Sequence, residues 1–283
     1  MNRRLTLLIV VALGLAPQLF AGRTWHKTIG TAQKEAKTKK QLILVDMFAE
    51  WCGWCHRFER EVFPSAVFQD ATKDIILLRL DTEDGKEGTQ LARKYAVTSL
   101  PTFLLLAPDL SVAGVLRGYA PPNDFVLSLK DTRKKYGEFT KRVNNETSIA
   151  KDPVARLALA KEFTQRGVYD KAEMRLKKLT SDKGIPVAIR DEAYYNLAIA
   201  DTVQNKLNEA LATIRELTGL SKLGESVEGA RLLAGKIYIQ QGNLLGAANE
   251  FRSFKKAFPN SSLVPEIDMM LPEIERRLAA SGK

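Results

Sequence analysis

The chain has 283 residues, of which 45% are hydrophobic and 27% charged, and a formal net charge of +10. That length supports two ordinary domains with separate cores, and the composition excludes a disordered or fibrous chain. The positive excess is scattered, with no basic run of five residues and no aromatic stacking motif beside it, which argues for solubility and against nucleic-acid binding.

In chain order, Arg3 and Arg4 precede an apolar stretch, Leu5 to Leu15, and then Ala16-Pro17-Gln18-Leu19-Phe20-Ala21-Gly22. This pattern reads as a secretory signal over 1–22, with cleavage expected after Ala21 or Gly22. The stretch is shorter than the ~20 residues that span a bilayer, so an uncleaved anchor is the weaker alternative. The mature protein is therefore expected outside the cytoplasm, in a periplasmic or similar compartment.

Residues 24–40 are expected to form a helix, with lysines at its end where they suit the macrodipole. Gln41 to Phe48 is a continuous apolar run with β-branched residues, too short for a typical helix, and reads as a buried parallel-type strand. Ala49 to Glu61 should begin with the two cysteines and continue as a helix. Ile75 to Asp81 reads as a second strand, Thr89 to Tyr95 as a short helix and Thr102 to Leu106 as a third strand. After a turn at Ala107–Leu110, Val112 to Arg117 reads as a fourth strand, ended by Gly118. A long helix is expected from Pro121-Pro122-Asn123 to about Val143. Strands alternating with helices imply an α/β domain with a central mixed sheet over 23–145.

Beyond Asn144-Asn145-Glu146 the strand signals stop, and 146–283 reads as an all-α domain of self-similar units. Ala160, Phe163, Gly167, Tyr169, Ala172, Leu176 and Leu179 make one unit. Ala198, Asn205, Leu207, Ala210, Ile214 and Leu217 make a second. Gly235, Tyr238, Gly242, Leu244, Ala247, Phe251, Phe254 and Pro259 make a third, and Pro265 to Ala280 is a closing helix. The order of small, aromatic and turn residues resembles the tetratricopeptide repeat, a pair of antiparallel helices. The period of 37 to 38 exceeds that repeat's usual ~34, and the second unit lacks the turn glycine. A generic helical bundle is the competing reading.

The chain has only two cysteines, Cys52 and Cys55. A bridge between them closes too small a loop to restrain much of the unfolded chain, so chemistry explains the pair better than stapling does. Placed where a strand ends and a helix starts, Cys52 is expected to be exposed and to meet free amides and a partial positive charge that favour its thiolate. Cys55, one turn on, can resolve a mixed disulfide at Cys52. Cys52, Cys55 and His56 could supply three metal ligands. His26 is the only other histidine, so the four ligands of a closed zinc site are not in place. No metal and no bound cofactor is expected, and no phosphate-cradling glycine motif occurs.

Trp51-Cys52-Gly53-Trp54-Cys55, the strand carrying Asp46, and Thr98-Ser99-Leu100-Pro101-Thr102 together resemble the thioredoxin family, over about residues 24 to 143. The resemblance implies that Asp46 moves a proton on or off Cys55. It also implies that Leu100-Pro101 is a cis peptide beside the disulfide, and that the Leu100 backbone pairs with a substrate chain. Trp51, Gly53, Trp54, Leu100 and Pro101 are thus candidate substrate contacts. The Gly53-Trp54 pair and His56 depart from thioredoxin itself, and His56 is a candidate for tuning the cysteine pKa.

The expected function is an extracytoplasmic thiol–disulfide oxidoreductase acting on protein thiols and disulfides, leaning to reductase, with a membrane electron donor or acceptor. The repeats are expected to recruit a protein partner. The competing readings are a helical-repeat scaffold with a vestigial or regulatory redox domain, and a disulfide oxidant or isomerase.

Overall fold

A computed structural model describes residues 23–280 and 282; the expected signal over 1–22 lies outside the described residues. Five strands form one mixed sheet: β1 (Trp25–His26), β2 (Ile43–Phe48), β3 (Ile76–Asp81), β4 (Thr102–Leu106) and β5 (Val112–Arg117), in the order β1-β3-β2-β4-β5. β1 and β2 both run parallel to β3, while β4 runs antiparallel to β2 and to β5. The parallel crossover and the late antiparallel hairpin match expectation.

Helices cover both faces. On one, α1 (Ile29–Lys39) and α4 (Glu87–Lys94) bury Ala32, Ala36 and Leu91 against Ile43, Val45 and Met47. On the other, α2 (Gly53–Glu61), α3 (Ala66–Ala71) and α5 (Pro122–Asn144) bury Phe58, Phe68, Phe125 and Leu129 against Leu44 and Phe103. Because side chains alternate along a strand, Asp46 shares the face of Leu44 and lies under this second layer.

Two expectations need correction. The helix expected over 24–40 starts only at Ile29, since Thr28 caps it and Trp25–His26 pair with Leu77–Leu78 as an edge strand. Burying the Trp25 ring between Phe63 and Phe68 outweighs the local helical spacing. The six-residue α3, capped by Ser65, has no counterpart among the expected elements.

After a 3₁₀ turn at Glu146–Ile149 the chain is entirely helical: α6 (Pro153–Gln165), α7 (Tyr169–Thr180), α8 (Val187–Val203), α9 (Leu207–Leu220), α10 (Glu225–Gln240), α11 (Leu244–Ala257) and α12 (Val264–Ala280). Three helix pairs turn through a left-handed residue, at Gly167 (φ 70°), Asn205 (φ 60°) and Gly242 (φ 74°). Asparagine tolerates that conformation better than most residues, so the second unit turns without a glycine. Ala172, Ala210 and Ala247 are fully buried where the helices of each pair meet.

Helix α5 belongs to both cores. Its Phe125 and Leu129 sit in the sheet's core, Phe139 in that of α6 to α8, and Tyr136 packs against both. Arg166, at the end of α6, adds a second joint. Its Nη1–H groups donate to the carbonyls of Val112 (2.8 Å) and Ala113 (2.9 Å), and its own carbonyl accepts from the Val112 N–H (2.9 Å).

Candidate functional site

The strand β2 ends at Phe48, and the chain turns through Ala49-Glu50-Trp51 into α2. Cys52 is the N-cap of that helix, and its sulfur accepts the backbone N–H of Cys55 at 3.1 Å. Cys52 and Cys55 are joined as a disulfide, with Cα atoms 5.2 Å apart. The helix terminus thus points an N–H, shared with the Cys52 carbonyl at 3.0 Å, and its partial positive charge at the Cys52 sulfur, as a stabilised thiolate requires. The expectation of an exposed Cys52 needs correction. It is only 3% exposed, because Phe48, Ala49 and Leu100 pack around the pair. The flanking Trp51 (69% exposed) and Trp54 (54% exposed) stand out to solvent, while Gly53 opens the helix beside them. The Leu100-Pro101 peptide is cis, and the Pro101 carbonyl accepts the N–H of Gly118 at 2.9 Å.

Asp46 is 1% exposed. Its Oδ2 lies 3.2 Å from Nε of Arg79, its register partner on β3, but the N–H points off that line. Oδ1 has no hydrogen-bond partner. Burial outweighs the Arg79 charge and pushes the Asp46 carboxyl up to about 7. Arg79 also pairs with Glu59 and lies over the Phe48 ring. Glu59 Oε2 is 3.4 Å from Nδ1 of His56, whose Nε2–H donates to the Glu50 carbonyl at 2.8 Å. These two acceptors, the carbonyl first, hold the His56 pKa above its ordinary value. A chain of polar groups, Asp46–Arg79–Glu59–His56, therefore runs from the buried face of the sheet under α2 to the surface beside the cysteines.

A family profile for the thioredoxin-like domain matches residues 29–133. Residues 29–133 are a thioredoxin-like domain. The chain is also similar to the thiol:disulfide interchange protein DsbD of Pseudomonas fluorescens, 35% identical over 106 residues, covering 36% of this chain and 18% of that protein. Similarity to DsbD of Klebsiella pneumoniae reaches 36% over 73 residues, covering 25% of this chain and 12% of that protein. The chain thus spans about a fifth or less of the length of these relatives. Among solved structures, the C-terminal domain of Neisseria meningitidis DsbD in the oxidised form aligns at 15% identity and a TM-score of 0.34, covering 39% of this chain and 100% of that domain.

The thioredoxin-like domain carries its cysteine pair as a thiol–disulfide oxidoreductase does, with every candidate residue named from the sequence lying at or under the start of α2 or in the adjoining Leu100–Pro101 turn. Other neighbours emerge only in the fold. Arg79 is a charge inside an apolar strand run, and only the β2–β3 register puts it opposite Asp46. Beside the disulfide, Arg57 lies over the rings of Trp54 (5.5 Å) and Tyr119 (4.6 Å), and Glu61 accepts from both the Arg57 Nε–H and the Tyr119 hydroxyl. The spacing of Trp54, Arg57 and Glu61 on one helix face is the only local sequence signal for this platform. Tyr119 comes from beyond β5.

Proposed function

We propose that this protein is an extracytoplasmic thiol–disulfide oxidoreductase that reduces disulfides in proteins. The observation that carries the reading is the Cys55 N–H on the Cys52 sulfur at the start of α2, above a buried Asp46. In the dithiol form the Cys52 thiolate attacks one sulfur of a substrate disulfide and releases the other as a thiolate, leaving a mixed disulfide. Asp46, ionised near neutrality, accepts the proton of the Cys55 thiol. The Cys55 thiolate then attacks Cys52, expels the second substrate sulfur and closes the disulfide. The substrate gains two electrons, its two thiolates take up the proton held by Asp46 and one from solvent, and a membrane donor of thiol electrons restores the pair. Trp51, Trp54 and the Leu100 backbone at the cis-Pro101 turn are the surfaces against which the substrate chain would lie. His56, when protonated, would favour the Cys52 thiolate. The name of the relatives, thiol:disulfide interchange protein, accords with this chemistry. The signal-like start favours export, and among the described residues no helix is long and apolar enough to cross a membrane.

The helical region is read as tetratricopeptide-like and as the part that recruits a protein partner, since stacked helix pairs leave an extended surface open. The deciding measurement is the equilibrium potential of Cys52–Cys55. A value near about −270 mV supports the reductase, and one near about −120 mV makes the protein a disulfide donor instead. Cys52→Ser should abolish insulin reduction, and Cys55→Ser should arrest at the mixed disulfide. Activity retained by Cys52→Ser would reject the enzyme in favour of a scaffold.

A further inference from the structure

A cavity of about 410 Å³ opens between the start of α8 and the start of α10, far along the chain from the cysteines. Val187, Leu223 and Val227 give it apolar walls, and Asp191, Glu192 and Glu225 give it three carboxylates. No lysine or arginine lines it among the described residues, although the chain as a whole carries +10. Glu192 is held by Lys161 at 2.5 Å. Asp191 differs. It is only 7% exposed, and its Oδ1 is buried without a hydrogen-bond partner among the described residues. Buried carboxylates are normally paired, and an unpaired one carries a standing penalty that an opposite charge beside it would offset. At the rim, Val187 and Leu223 are exposed apolar side chains, with Leu223 at 75%.

We propose that this cavity binds a lysine or arginine side chain of a protein partner. The cationic head pairs with the Asp191 carboxylate with Glu225 beside it, and the alkyl stem lies along Val187, Leu223 and Val227. An ammonium or guanidinium supplies the opposite charge that the Asp191 carboxylate lacks, and both side chains have the long apolar stem that such walls accept. An apolar ligand would leave Asp191 orphaned, and an anion would face three carboxylates. The proposal rests on the reading that the helical region recruits a protein, and it names the chemistry by which it does so. The redox reaction does not depend on it.

The test uses the full mature chain, ¹⁵N-labelled, titrated with an end-capped Gly-Lys-Gly peptide, its arginine counterpart, and the same peptide with uncharged norleucine. Saturable shifts of the Asp191, Gly224, Glu225 and Val227 amides are expected with a cationic peptide and not with norleucine. Affinity should fall with salt, as a charge contact requires. Asp191→Asn should weaken binding at least about tenfold. Glu225→Gln and Leu223→Ala, both at exposed positions, should each weaken it as well, with an otherwise unchanged amide spectrum reporting an intact fold. No saturable shift with either cationic peptide, or equal binding of norleucine, would overturn the proposal. Insulin reduction by the same variants reports the disulfide chemistry separately, so failure here is distinguishable from failure of the enzymatic reading.

Discussion

The acidic residue whose environment departs furthest from water, and to which the proposed reaction assigns the proton, is Asp46. In the unfolded chain its carboxyl loses the proton near 3.8, whereas in the fold it keeps it to about 7. Between those values the folded protein holds a proton that the unfolded chain has released, so rising pH favours unfolding. The penalty is absent below about pH 4 and fully developed above about pH 7, growing by about 1.4 kcal/mol for each pH unit between them. Asp46→Asn should therefore raise the urea midpoint at pH 8 and leave it nearly unchanged at pH 4. The same variant should slow insulin reduction by about 10²-fold and remove the inflection near neutrality from its pH profile. Stabilisation without loss of rate would make Asp46 a structural residue only. Cys52 and Cys55 were legible because their chemistry is tied to local spacing along the chain, and Asp46 and Leu100-Pro101 through the family resemblance that the surrounding motifs carry. Arg79 and Tyr119 were not, because their meaning arises from strand register and from a contact across the fold.

At the scale of elements, legibility followed the strength of the local pattern. The apolar runs at Ile43–Phe48 and Thr102–Leu106 were plain as strands, since both are buried on two faces. The two-residue β1 has no period to read, and α3 is a single capped turn or two whose sequence, AVFQDA, favours no particular form. In the helical region the units share one register but differ in how they fill it. The first and second have alanine at 160 and 198 and carry Leu176 and Ile214 in the following helix, whereas the third has Gly235 and Phe251 at the same steps. A Cβ on Gly235 would sit 2.1 Å from Cε1 of Phe251, a fully buried ring that cannot yield easily. Small is thus exchanged for large across the pair, keeping the volume nearly constant. Gly235→Ala should destabilise the protein by about 1–3 kcal/mol, the usual effect of overpacking. Phe251→Leu in the same chain should recover most of that loss. A double-mutant cycle by chemical denaturation checks it, and additive effects would show that the two positions do not compensate.

For the whole molecule, the strand directions decide where the helical region sits relative to the disulfide. The pair lies just beyond Phe48, at the end of β2. Ile43, at the start of β2, pairs with Leu106, and Leu106 with Val112, so Val112 lies at the opposite end of the sheet, about 17 Å away along the strands. That far end is where Arg166 fastens α6. Helix α5, 23 residues and about 34 Å long, carries the chain from the active end to the joint without a break. The helical region is therefore a fixed arm and not a tethered one, and it leaves the disulfide face uncovered. None of this was legible from the sequence, because Arg166 reads there as one more surface charge in a basic chain. In the fold it is only 11% exposed in its side chain, lies 4.3 Å over Phe139, and pairs with Glu162 at 2.7 Å besides holding the two strand carbonyls. Arg166→Ala should remove hydrogen bonds to a charged group, a loss of about 1.5–3 kcal/mol. The Val112 amide, which donates to the Arg166 carbonyl, should then exchange hydrogen faster, together with amides of α6. Insulin reduction should stay within about twofold, since the substitution touches only the distant end of the sheet. A matching fall in reduction rate would show that the joint and the cysteines move as one, and that the arm acts on the disulfide as well as placing it.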